Sequence, residues 1–178
     1  MRFLSIALAL SLTSLMAHAA DLKAGPVTAT FHIQEVKCST CANAIDESLR
    51  KLPAVTKVDD LSESSGFAVI TFDAKVVSHH QVAQAIFTAN PIHGEPYVPS
   101  LKFSVPEYAK ADNAAKVDAL FAKHKSQVRV ELKNKSRGDF VLHFEPLAVD
   151  GGKKGPQGWT LETFRAGLQA LGLTFELK

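Results

Sequence analysis

Sliding the chain along itself by 72 positions, without a gap, brings ten identical residues together between positions 31 and 72. The pairs are Phe31/Phe103, Glu35/Glu107, Ala42/Ala114, Asp46/Asp118, Lys51/Lys123, Val58/Val130, Ser64/Ser136, Gly66/Gly138, Val69/Val141 and Phe72/Phe144. Ordinary composition would produce about two or three. Conservative apolar pairs such as Ile33/Val105, Ile45/Val117, Leu49/Phe121 and Ile70/Leu142 follow the same offset. Such a repeat constrains the fold more than any short motif, because each copy must build the same unit. The chain therefore reads as two tandem copies of one module.

The pattern of each copy indicates what the module is. "VTATFHIQ" is rich in β-formers, and "CANAIDESLRKL" places Ala44, Ile45, Leu49 and Leu52 at helical spacing. "AVTKVDDL" and "GFAVITF" predict two strands joined by a turn at Ser62–Gly66. "SHHQVAQAIFTA" predicts a second helix that opens with a Ser78/Gln81 capping box. The order β-α-β-β-α opens a ferredoxin-like unit. In copy two "AVDGGKKGPQG" precedes the last helix, "TLETFRAGLQAL", and the strand "LTFEL" ends the chain. That Gly/Lys stretch reads as a solvated turn, and Trp159 as a hydrophobic staple for the helix after it. The expected fold class is α+β, with tandem ferredoxin-like βαββαβ modules, the second a degenerate copy. Pro91, Pro96 and Pro99 crowd the junction between the copies. Either Tyr97–Val105 forms one strand serving both copies, or the first copy closes with a very short strand.

Ahead of the repeat, Met1 and Arg2 precede a mostly apolar stretch from Phe3 to Met16, and Ala17-His18-Ala19 follows. This is the pattern of a signal peptide, residues 1–19, cut after Ala19, which implies a periplasmic or secreted protein. Without Arg2 the remaining 19 Lys plus Arg nearly balance 18 Asp plus Glu. No basic block is interleaved with aromatics, so nucleic acid is not an expected partner, and no second apolar segment predicts a membrane span in the mature chain.

The chain has two cysteines, Cys38 and Cys41, in "EVKCSTCANAI", where the first strand meets the first helix. Copy two has Lys110 and Asn113 at these positions, so the fold does not need the thiols and a functional role is favoured. Helix N-terminal N–H groups and the helix dipole stabilise thiolate there, and Lys37 adds a positive charge nearby. Two soft thiolates suit Cu(I) or Hg(II), whereas Zn(II) requires further ligands. Topology places the connection after the second helix at the same end, so His93, in "NPIHGEPY", is a candidate third ligand. His79 and His80 begin the second helix at the opposite end and are poor candidates. His32, His124 and His143 lack ligand-like spacing.

Copy one resembles the heavy-metal-associated domain family through "EVKCSTC", which stands where that family carries Gly-Met-x-Cys-x-x-Cys, and "LPAVTKV", which stands at its pGV turn. Glu35 occupies the usual Gly position and Val36 the usual Met position. The resemblance implies a metal-binding module over residues 20–97, followed by a degenerate ferredoxin-like repeat over 98–178. It implies Cys38 and Cys41 as ligands of a soft metal ion, Cu(I) favoured, passed to a protein partner by thiolate exchange.

The leading expectation is thus a non-enzymatic, exported protein that sequesters or delivers a soft ion. Two others stay open. One is a thiol–disulfide oxidoreductase attacking through Cys38 and resolving through Cys41. The other is a binding or assembly module whose CxxC is closed as a disulfide. No phosphate loop, HExxH or nucleophile elbow supports another enzyme class.

Overall fold

The computed structural model describes residues 25–178, so the expected leader lies outside the described residues. The elements follow the order β1 (Pro26–Gln34), α1 (Ser39–Arg50), β2 (Val55–Asp59), β3 (Phe67–Asp73), α2 (His79–Phe87) and β4 (Val98–Ser104). They continue with α3 (Asn113–Ala122), β5 (Val128–Asn134), β6 (Asp139–Phe144), α4 (Leu161–Ala170) and β7 (Glu176–Leu177). The α+β class and the repeated βαββα order are those expected.

The 72-residue offset holds in three dimensions. Ile33 N–H donates to Gly66 C=O at 2.8 Å, and Val105 N–H donates to Gly138 C=O at 2.9 Å. Both glycines have left-handed backbone, with φ of 64° and 60°. Alternation buries Ala68, Ile70 and Phe72 on β3, and Phe140, Leu142 and Phe144 on β6.

All strands join one antiparallel sheet in the order β2-β3-β1-β4-β6-β5, with β7 also on β4. The junction is resolved by β4, which serves both copies. On one edge, Val98 to Leu101 pair with Gln34 to Phe31. Further along that edge, Phe103 and Ser104 pair with Leu177 and Glu176 of β7, while β6 takes the other edge from Ser100 to Ser104. Along the chain, β4 is thus the fourth strand of copy one, whose spatial order is β4-β1-β3-β2, and the first strand of copy two, whose spatial order is β7-β4-β6-β5. Pro99 is tolerated because its register partner, Ile33, lies near the end of the β1–β4 ladder.

The register aligns Ala68, Phe31, Leu101, Leu142 and Val130 in one row across five strands. These side chains face the helices and join a single apolar core, to which Val130 adds a partly buried side chain. The opposite face carries Phe67, His32, Ser100, His143 and Arg129 in register. His32 lies against the Phe67 ring and His143 Nε2 is 3.3 Å from Glu131 Oε2, so neither approaches the thiols. His124 packs on the Phe164 ring.

The Gly/Lys stretch differs from the expected solvated turn. Lys153 and Lys154 are exposed, but the base of the loop is docked on α2. Gln157 N–H donates to Gln81 Oε1 at 2.9 Å, Ser78 Oγ donates to Gln157 C=O, and Leu147 N–H donates to Gln84 Oε1 at 2.7 Å. The Ser78/Gln81 capping box is formed as expected. Trp159 packs edge-on to Phe164, which is the staple geometry, and also meets His79.

Candidate metal centre

The site begins with the turn out of β1. Glu35 has φ of 72°, in the left-handed region that favours glycine. This turns the chain so that Val36 packs against the core and Cys38 reaches the start of α1. Cys38 is extended and caps the helix. Its Sγ accepts a hydrogen bond from Cys41 N–H at 3.3 Å, and its carbonyl accepts from Cys41 N–H at 3.0 Å and Ala42 N–H at 3.2 Å. Cys41, in the first turn, is buried, whereas Cys38 is half-buried, and both are free thiols. Their sulfurs are 2.9 Å apart.

Burial pushes the Cys41 thiol up. The polar surroundings, first the Cys38 thiol and then the Lys37 backbone, the Tyr97 hydroxyl and the Cys38 backbone, outweigh it, so the thiol lies below its usual range. Lys37 therefore helps through its backbone. Its ammonium is held by two carboxylates, with Nζ 2.6 Å from Glu35 Oε2 and 2.7 Å from Glu95 Oε2. Those contacts raise the Lys37 pKa.

The connection between α2 and β4 supplies the rest. His93 is exposed there, and its ring nitrogen lies with the Cys38 and Cys41 sulfurs in a cluster whose ligand atoms are all within 4.8 Å of one another. Gly94, at φ 81°, closes the turn by donating its N–H to Pro91 C=O at 3.2 Å. Tyr97 is buried beneath the loop, where its hydroxyl donates to Asn90 C=O at 3.2 Å and accepts from Ile92 N–H at 3.4 Å. Burial first, and then the neighbouring Cys41, raise its pKa.

The structure thus brings Cys38, Cys41 and His93 together, while His79 and His80 stand at the far end of α2. There His80 Nδ1 accepts from Trp159 N–H at 3.2 Å and its Nε2 meets Glu145 C=O at 2.6 Å. His79 Nδ1 accepts from Leu161 N–H at 3.4 Å. Sequence reasoning overlooked Tyr97 as part of the site, because an aromatic before a strand looks like any core residue. In copy two the corresponding end carries no thiol; Asn113 Nδ2 donates to Glu107 C=O at 2.9 Å.

Three donors of this kind match a soft ion. Metal–sulfur bonds of about 2.3 Å place two thiolates of a three-coordinate site roughly 4 Å apart. An ion held by both sulfurs would require the 2.9 Å pair to open by roughly 1 Å, a change that rotation of the half-buried Cys38 side chain would supply.

No family model and no curated protein matches the chain. Among solved structures it is similar to the water-soluble region of the P-type ATPase CopA from Bacillus subtilis, with 14% identity, 87% of this chain and 93% of that chain covered, and a TM-score of 0.39. It is also similar to the N-terminal soluble domains of Bacillus subtilis CopA in solution, with 13% identity, 87% and 95% coverage, and a TM-score of 0.37.

Proposed function

We propose that this protein binds one soft metal ion, Cu(I) by preference, at Cys38, Cys41 and His93, as an exported carrier or sequestering protein. The observation that carries this reading is the approach of two thiols and an imidazole within 4.8 Å at one helix N-terminus. Thiolate sulfur is a soft donor, and the helix terminus stabilises its charge. Hg(II) suits the same two sulfurs, whereas Zn(II) lacks a fourth protein ligand among these groups and should bind less tightly. The unequal burial of the sulfurs supports delivery by thiolate exchange. A thiolate of a partner protein forms a bond to the ion as the accessible Cys38–metal bond breaks, and buried Cys41 lets go last. Among the described residues no helix is long and apolar enough to cross a membrane.

The test is a competitive Cu(I) titration of fully reduced protein against a chromophoric chelator. One-to-one uptake that disappears in Cys38→Ser/Cys41→Ser supports the reading, and no uptake by the reduced wild type overturns it. The 2.9 Å sulfur pair with one low-pKa thiol also favours a second reading, a thiol–disulfide oxidoreductase. Turnover of a disulfide substrate by metal-free protein would select it.

A further inference from the structure

Two connections meet at the end of the sheet that carries the dithiol. One is the β1–α1 loop, which ends at Cys38 one turn before Cys41, and the other is the α2–β4 loop with His93. In copy one an ion-pair chain joins them: Glu35 to Lys37 at 2.6 Å, and Lys37 to Glu95 at 2.7 Å. These residues flank the candidate ligands, since Lys37 immediately precedes Cys38 and Glu95 stands two residues after His93.

Copy two ties the same two connections by different chemistry. Glu107, the repeat partner of Glu35, accepts hydrogen bonds from Thr174 N–H at 3.2 Å and from Thr174 Oγ1 at 2.8 and 2.9 Å. Thr174 lies between α4 and β7, where copy one has the His93 loop. The fold therefore staples these loops in both copies. Where there are no thiols, the staple is a direct hydrogen bond to backbone and hydroxyl. Where there are thiols, it runs through an exposed ammonium, which solvent and salt weaken.

We infer that Lys37 and Glu95 are positioning residues that hold His93 across the dithiol, so that third-ligand binding, rather than the two-thiolate hook, depends on their ion pair. This rests on the metal-binding reading above. An exposed loop histidine loses conformational freedom when it ligates an ion, and a loop already held in place loses less. Because the pair is exposed, its effect on affinity is modest, about two- to fivefold.

The experiment is the same Cu(I) competition on wild type, Glu95→Gln, His93→Ala, the double variant, Lys37→Glu, and the charge swap Lys37→Glu/Glu95→Lys. Glu95→Gln should weaken binding about two- to fivefold with His93 present and change nothing in the His93→Ala background. The swap should bind more tightly than Lys37→Glu alone, because the lysine at 95 then faces carboxylates at 35 and 37, and no recovery over that single variant overturns the latch. An equal loss in both backgrounds, or no loss with His93 intact, overturns the latch. Amide exchange of metal-free reduced protein tests it independently. Glu95→Gln should speed exchange at Gly94 at low ionic strength, with the difference vanishing near 1 M salt, where the screening length is about 3 Å. Unchanged exchange at low salt overturns it. If wild type takes up no Cu(I), the carrier reading falls, while the exchange experiment still decides whether the pair orders the loop.

Discussion

Tyr97 shows how a single side chain joins packing to chemistry. Its ring belongs to the core, while its hydroxyl donates to the Asn90 carbonyl and helps to lower the Cys41 pKa. Tyr97→Phe keeps the ring and removes the hydroxyl. The Cys41 thiol is then expected to titrate at higher pH than in wild type, read from the Cys41 13Cβ shift across a pH series of reduced protein. An unmoved Cys41 titration would show that the other hydrogen bonds suffice. Glu35 illustrates the converse. A non-glycine residue held at φ 72° costs about 1 kcal/mol, and here it provides a carboxylate for Lys37.

At the scale of elements, the two β-hairpins are near copies with unequal tolerance. Gly66 and Gly138 occupy the same repeat position and the same left-handed turn conformation. A Cβ on Gly66 meets nothing within 4 Å, whereas one on Gly138 falls 1.9 Å from Val105 O. That oxygen is backbone, and Val105 N–H is bonded to Gly138 C=O, so relief requires breaking the turn. Gly66→Ala should cost about 1 kcal/mol, from the backbone conformation alone. Gly138→Ala should cost roughly 3 kcal/mol or more. Urea midpoints of the two variants check this, and equal losses would contradict it. The difference was invisible in the aligned sequence, where the two glycines are simply identical, because it depends on how closely the β4–α3 loop crosses the turn.

For the whole molecule, the decisive feature is the clasp between residues 145–161 and the N-terminus of α2. His79 and His80 accept backbone hydrogen bonds from copy two through ring nitrogens that must be unprotonated. Burial lowers both pKa values, that of His79 to about 3, with the positive charge of Arg165 adding to the effect. For His80, the Glu145 carbonyl and carboxylate oppose the burial. The unfolded chain takes up these protons near pH 6.5, and the folded protein only at lower pH. Stability is therefore expected to be level above about pH 7 and to fall as pH drops through 6.5, by up to about 1.4 kcal/mol per pH unit for each group until its folded pKa is reached, which for His79 is about 3. Urea unfolding between pH 7 and 4.5 measures this. His79→Asn, whose amide oxygen can accept from Leu161 N–H, should flatten the slope; an unchanged slope would locate the titration elsewhere.

The sequence by itself determined the repeat, the order of elements, the capping box, the staple at Trp159 and the position of the dithiol at a helix start. All of these are carried by short-range periodicity or by a fixed offset along the chain. The tertiary structure alone decided that β4 belongs to both copies, that the two histidines of α2 bind copy two, and that Lys37 reaches Glu95. These features rest on backbone edges and side-chain partners brought together from distant parts of the chain. Strand periodicity states which face a residue takes, but not which neighbour occupies the strand's edge, and a charge states its sign but not its partner. That His93 would stand near the thiols followed from topology; the 4.8 Å cluster required the packed loop over Tyr97.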